Sequence, residues 1–324
     1  MASSVQGCRK YRVDSECLNA FFTGNCALKR KLVEILTSRT MQEMELIRQT
    51  YSAVYNQDIL HALSNVRRND PFANMVYLRI NEPQERDAEL MRDSLFGWNK
   101  VNLNVLIELL CTRSSSQLSS IKQAYCNRYG SNIEQDVSQK ISGNFKEILL
   151  AVLKSSNKSA SRVDISMAMC DAKTLYEAVE SGSSVDWKTI MSTFSSRNTE
   201  QIKAILLSYK ELYGHEFSKF LKSNKCGNFG KDLRFVVRGI QSPAKFFSRQ
   251  LRGAMQRGDT KEVMARIVVT RLDDDIKEIN NVFAAKTGWS LGNLVKREFK
   301  DSGSQRNSSN VLMAEFLLAL LKYT

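Results

Sequence analysis

Thr112-Arg113-Ser114-Ser115-Ser116-Gln117-Leu118-Ser119-Ser120-Ile121-Lys122-Gln123-Ala124-Tyr125 is a pattern that this chain uses four times. Its arginine recurs as Arg39, Arg197 and Arg271, giving spacings of 74, 84 and 74 residues. A hydroxyl residue precedes each one: Ser38, Thr112, Ser196 and Thr270. Five residues after the arginine stand Met44, Leu118, Ile202 and Ile276, and eight after stand Ile47, Ile121, Ile205 and Ile279. Twelve after come Tyr51, Tyr125, Tyr209 and Phe283. The match runs without a gap to Ile59, Ile133, Phe217 and Leu291, then to Leu63, Val137, Leu221 and Val295. A fixed period of this kind marks a repeat architecture.

The offsets also define the local structure. Positions five, eight and twelve lie on one face of a helix, and positions twenty and twenty-four lie on one face of the next. Between the two helices stands Asn56, Gly130, Gly214 or Gly288, residues that tolerate a left-handed helix end. Thr40 with Glu43 and Ser114 with Gln117 form capping boxes, and Asn198 ahead of Gln201 is an equivalent cap. The fourth copy has Leu272 at that position and lacks the cap. Apolar helices precede each arginine and close each unit, so each repeat is expected to hold four or five short helices.

The predicted layout is a short N-terminal extension over 1–13 and repeats at 14–78, 86–154, 169–240 and 244–322. A Ser/Lys-rich linker is expected over 155–168. Pro83 and Pro243 stand where new units begin, and proline suits the first turn of a helix. Among 324 residues there are 15 Gly and only 3 Pro, which favours helix over sheet corners. At 43% hydrophobic residues the chain has enough apolar content for globular cores, so a disordered chain is excluded.

The charge points to an anionic partner. Lys and Arg number 47 against 34 Asp and Glu, a formal net charge of +13. Lipid headgroups and nucleic acid both fit such an excess. The first ten residues contain no apolar run, so no secretory signal is expected. The longest apolar stretch, 313–321, is too short to span a bilayer. Seven cysteines without CxxC pairing read as reduced cytosolic thiols.

Cys111-Thr112-Arg113-Ser114, Ala124-Tyr125, Tyr129-Gly130 and Ser142-Gly143-Asn144-Phe145 together resemble an annexin repeat. The segments 50–63 and 83–88 resemble plant annexins most. The resemblance covers nearly the whole chain. It implies an all-α fold of four annexin-like repeats packed as a slightly curved disc, whose convex loops bind calcium and acidic phospholipid. It also implies a cytoplasmic protein that joins membranes peripherally.

The same resemblance implies a calcium pattern that this chain largely lacks. The family loop is G-x-G-T before the arginine helix, with a carboxylate about forty residues later. Here the four loops read Gly24-Asn25-Cys26-Ala27, Trp98-Asn99-Lys100-Val101, Gly182-Ser183-Ser184-Val185 and Gln256-Arg257-Gly258-Asp259. The carboxylate positions hold Val66, Lys140, Asn224 and Glu298. Only the fourth copy keeps the second glycine and the acid together, in a loop one residue short. Calcium takes several oxygen ligands, so binding is expected at no more than one weak site, at Gly258 and Glu298.

Basic residues stand in these loops instead: Lys29, Arg30, Lys31, Arg67, Arg68, Lys100, Lys140, Arg257, Arg297 and Lys300. They are expected to contact acidic phospholipid directly. Trp98 and Trp187 precede arginine helices, where an indole either sits at the lipid interface or packs between helices. The alternative reading is an annexin-fold scaffold that binds protein or RNA through its basic surface without calcium.

No enzyme is expected. His61 and His215 have no partner at metal-ligand spacing, and there is no P-loop, GxSxG or paired-carboxylate motif. Cys111 matches one member of a redox cluster proposed in plant annexins, but Gly239 stands at the other position. Cys111 is therefore expected to be a small buried hydrophobe. Asp273-Asp274-Asp275 is expected to complement a helix dipole, and the four arginines to cap or pair at helix C-termini.

Overall fold

The computed structural model describes residues 2–23, 29–97, 100–155, 162–180, 184–300 and 309–322. Among them there are helices and no strand. Four successive sets of five helices follow the repeat. The first set is α1 (Ala2–Phe22), α2 (Lys29–Ser38), α3 (Met41–Tyr55), α4 (Ile59–Val66) and α5 (Pro71–Ile80). The second is α6 (Pro83–Phe96), α7 (Leu103–Thr112), α8 (Ser115–Tyr129), α9 (Ile133–Lys140) and α10 (Asn144–Ser155). The third is α11 (Ile165–Glu180), α12 (Trp187–Ser196), α13 (Thr199–Tyr213), α14 (Phe217–Phe220) and α15 (Gly227–Gln241). The fourth is α16 (Pro243–Arg257), α17 (Thr260–Arg271), α18 (Ile276–Thr287), α19 (Leu291–Glu298) and α20 (Ser309–Lys322).

Sequence chemistry accounts for most helix boundaries. Pro71, Pro83 and Pro243 open their helices, where a missing N–H costs nothing. Thr40 and Ser114 form reciprocal boxes with Glu43 and Gln117, and Asn198 accepts from the Gln201 N–H. Asn56, Gly130, Gly214 and Gly288 end α3, α8, α13 and α18 with φ of 52°, 61°, 73° and 74°. Asn56 is the only non-glycine with positive φ among the described residues.

Two boundaries differ from expectation. Helix α14 is a single turn, with Leu221 as its C-cap, followed by a 3-10 turn at Asn224–Cys226. Ser223 is extended there, and Ser and Asn compete with helix by local bonding. Helix α18 starts at Ile276, five residues after its arginine, whereas α3, α8 and α13 start two after theirs. Without a capping side chain Leu272 stays in the right-handed helical region (φ −53°, ψ −49°), and the next helix is delayed by one turn.

The chain divides into two compact units, Met1–Pro83 with Phe247–Thr324, and Gln84–Phe246. Each has the same internal plan. In the first, α2 packs on α20, α5 on α17, and α5 on α20. In the second, α7 packs on α15, α10 on α12, and α10 on α15. The second and fifth helices of two repeats thus make each core. Every apolar residue of the repeated pattern is at most 2% exposed, including Tyr51, Tyr125, Tyr209 and Phe283. Each such side chain contributes about 1.5–3 kcal/mol by leaving water.

Candidate functional site

In the first three repeats the loops are held by struts that begin at the repeated arginine. Arg39 donates to Asp14 at 2.8 Å, Arg113 to Asp87 at 2.6 Å, and Arg197 to Asp171 at 2.6 Å. Each bond ties the loop after a second helix to the first helix of the same repeat. The aspartates lie 25, 26 and 26 residues before their arginines, an offset legible in the sequence but not singled out above. Asp87 also accepts from Arg86 at 3.1 Å. Burial pushes the Asp87 carboxyl up, but Arg113 and Arg86 outweigh it and hold it below the usual carboxylate range. The Asp14 bond raises the pKa of Arg39, and the Asp171 bond that of Arg197.

The fourth repeat is built differently. Lys245 stands where the strut aspartate would be. Arg271 turns to its own following turn, donating to Asp275 at 2.7 Å and lying 3.0 Å from Asp274. Asp275 makes no side-chain cap bond to α18. Asp273 lies 3.5 Å from Arg79. The acidic run stands directly before the start of α18, as expected, and also pairs with arginines.

In repeat two the ends of α6 and α9 meet. The Lys140 Nζ, at the carboxylate position, lies 4.5 Å from the centre of the Phe96 ring at the end of α6. The Arg92 guanidinium lies 3.7 Å from the same ring. Phe96 is 39% exposed, so an aromatic face and two cations stand together at this end. Sequence reading missed Phe96. Its signal was an aromatic residue at the end of a helix directly before Gly97. Lys100, on the adjoining loop, is exposed. Trp98 lies outside the described residues.

In repeat three Trp187 is half-buried, with its ring 4.7 Å from that of Phe229 at the start of α15. That is the helix-packing role of the two expected for it. In repeat one the 24–27 loop lies outside the described residues, as does the Lys29 side chain. Arg30 and Lys31 are exposed, and Arg30 is 3.9 Å from Glu315. Arg67 lies over the Tyr77 ring at 4.0 Å, while Arg68 is exposed. Val66, at the carboxylate position, is 36% exposed.

The loop of repeat four is fully described. Gly258 has φ 88° and donates its N–H to the Ala254 carbonyl at 2.9 Å. Asp259 Oδ2 accepts from Arg257 at 3.1 Å, whereas its Oδ1 is buried and accepts no hydrogen bond. Glu298 lies 3.3 Å from the Arg297 Nε. Arg297 also stacks over Trp289 at 5.1 Å, and Lys300 is exposed. Asp259 and Glu298 therefore each have a neighbouring guanidinium. Among the described residues no three His, Cys, Asp or Glu side chains cluster as a metal site.

Cys111 is fully buried, and burial raises its thiol pKa. A Cβ built on Gly239 would lie 2.8 Å from the Cys111 Cβ. Disulfide Cβ atoms are about 3.5–4.5 Å apart, so a second cysteine here would force α7 and α15 apart. Glycine at 239 permits the close approach of these helices. Cys17, Cys111, Cys126, Cys170 and Cys226 are all free thiols. His61 is exposed, and His215 is near the Tyr209 ring at 5.7 Å.

Helical fivefold sets, arginine anchors and paired loops are the features of one family. A profile of the annexin family matches residues 14–69, 86–152 and 170–234. The chain belongs to the annexin family. Annexin D7 of Arabidopsis thaliana is 31% identical over 286 residues, covering 88% of this chain and 90% of that one. Annexin III, a solved structure, superposes with a TM-score of 0.79 at 25% identity, over 95% of this chain and 94% of that one. A calcium-bound annexin (Sm)1 shares the fold, with a TM-score of 0.68 at 22% identity, over 94% and 90% of the two chains. The plant relatives make this a plant-type annexin. Calcium-dependent phospholipid binding is the general property of the family. No described helix is long and apolar enough to cross a membrane.

Proposed function

We propose that this chain is a cytoplasmic, peripheral membrane protein that holds acidic phospholipid mainly through basic loops. The observation that carries this reading is in repeat two. There Lys140 replaces the family's acid and stands beside the exposed Phe96 ring. An ammonium at that place meets a lipid phosphate directly, with no metal bridge, and Phe96 can enter the headgroup region. Lys31, Arg68, Lys100 and Lys300 add exposed cations, and Arg30, Arg257 and Arg297 are exposed too, each beside a carboxylate. Each basic group near an anionic leaflet is worth about 1 kcal/mol. Of the four repeats at 14–78, 86–154, 169–240 and 244–322, the first, second and fourth carry these cations, and the proposed role is binding, not catalysis.

The residues at the fourth loop fit calcium poorly. Calcium takes roughly six to eight oxygens. Gly258 offers a carbonyl and Asp259 one unbonded oxygen, while Arg257 and Arg297 already neutralise the two carboxylates. At most one weak site remains, at Gly258 and Glu298.

The test is co-sedimentation with phosphatidylserine vesicles, in calcium or in EGTA, across a salt series. Binding that survives EGTA and falls steeply with salt supports the proposal. Lys100→Ala with Lys140→Ala should then weaken binding about tenfold or more. Binding that needs calcium would sink the basic-loop mechanism and restore the fourth site. Absence of binding in both conditions would favour a protein- or RNA-binding scaffold.

A further inference from the structure

Beside the basic loop residues Arg297 and Lys300, the fourth repeat contains a groove whose own lining the lipid reading does not use. It lies among α18, α19 and α20 and encloses about 630 Å³. Three lysines from three helices line it: Lys277, Lys296 and Lys322. None of them has a carboxylate partner among the described residues. Asn280, Asn281 and Asn293 supply amide groups between the lysines. Asn280 Oδ1 accepts from the Leu291 N–H at 2.8 Å, which leaves its amide N–H groups to donate elsewhere. No acidic side chain lines the groove. A second cavity of about 400 Å³ shares Asn293 and Lys296 with it and adds Arg297, Lys300 and Trp289.

Like charges around one concavity repel unless an anion sits between them. Elsewhere on this chain exposed cations do find partners, as Lys10 finds Glu43 at 2.7 Å. Lysine is a compact point charge, and three of them facing one space from different helices suit an anion with charge on several sides. Amide donors add hydrogen bonds to oxygen. The volume falls within the range of small-ligand sites.

We propose that this groove binds a compact polyphosphate, of the inositol polyphosphate class, either free or as the headgroup of a lipid. Lys277, Lys296 and Lys322 neutralise its phosphates, and the three asparagines fix its orientation. The site adjoins the basic residues Arg297 and Lys300 through Lys296, but neither Lys277 nor Lys322 belongs to the basic loops.

The experiment titrates the full chain with inositol hexakisphosphate by calorimetry at about 0.15 M salt, near physiological ionic strength, with inorganic sulfate as the control. A parallel arm uses vesicles with and without phosphatidylinositol bisphosphate. Binding in the soluble arm identifies a free polyphosphate, and binding only in the vesicle arm identifies a headgroup; either supports the site. Lys277→Ala with Lys322→Ala should weaken that binding roughly tenfold or more. Lys100→Ala with Lys140→Ala should leave the soluble arm unchanged and weaken only phosphatidylserine binding. Thermal melts confirm that both variants fold. No binding in either arm overturns the proposal. So does binding that the groove variant leaves intact, that the loop variant weakens equally, or that sulfate matches. Because the two variants are read on different ligands, failure of the groove and failure of the loop mechanism are separable.

Discussion

Repeat two and repeat four solve the same structural problem in opposite ways. In repeat two, Arg113 reaches back across 26 residues to Asp87, and both side chains are 3% exposed. In repeat four, Arg271 reaches forward four residues to Asp275, and Lys245 occupies the place of the strut acid. The long-range pair ties two helices together. The local pair only shapes a turn. The difference traces to one missing cap: Ser114 starts its helix at once, whereas Leu272 lets the chain continue for another turn and brings Asp274 and Asp275 under the arginine. A repeat can therefore keep its arginine and its buried pattern while the purpose of the arginine changes.

The largest test of this contrast removes the buried acid. Asp87→Ala removes the buried carboxylate that Arg113 and Arg86 share and should cost about 3–5 kcal/mol in urea unfolding. Asp171→Ala, at the more exposed pair of repeat three, should cost clearly less, and Lys245→Ala should be near neutral. Equal losses at Asp87 and Lys245 would break the distinction.

The next effect concerns helix approach in unit two. Gly239→Val places side-chain atoms where the Cys111 Cβ already stands and should cost about 1–3 kcal/mol. Pairing it with Cys111→Ala should recover part of that loss in a double-mutant cycle.

Acid titration sharpens the comparison further. The Asp87 carboxyl is held below its unfolded value, so its contribution is fully present above the ordinary carboxylate range. It is lost as pH falls through the depressed native value. Wild type should therefore lose stability steeply below about pH 4, and Asp87→Asn should flatten that limb. An unchanged slope would mean other carboxylates dominate.

The smallest effect is at the caps. Ser114→Ala should cost about 1 kcal/mol, by loss of one side of a capping box. Asp275→Ala should lower stability through Arg271 rather than through a cap. Helix content should drop at the start of α8 in the first case and stay constant at α18 in the second, read by amide hydrogen exchange.

Repeated side-chain chemistry made the fold legible. The offsets of Ile47, Tyr51, Ile59 and Leu63 and of their counterparts named the buried face before any coordinates, because a helix fixes which residues share a side. Asn56, Gly130, Gly214 and Gly288 named the turns, because only such residues accept left-handed backbone cheaply. Capping boxes named the helix starts, and Leu272 named the exception. Local rules of this kind act over a few residues, so sequence alone determined them.

Tertiary structure decided what acts across the chain. Whether a loop cation is free or engaged depends on the neighbours that the fold supplies: Arg67 lies on Tyr77, while Arg68 stays exposed. Phe96 meets Lys140 only because the ends of two helices distant in sequence are brought together. The groove lysines Lys277, Lys296 and Lys322 share a cavity only because three helices pack around it. Electrostatic partnership depends on distance in space, and composition, even at +13, does not encode which cations converge.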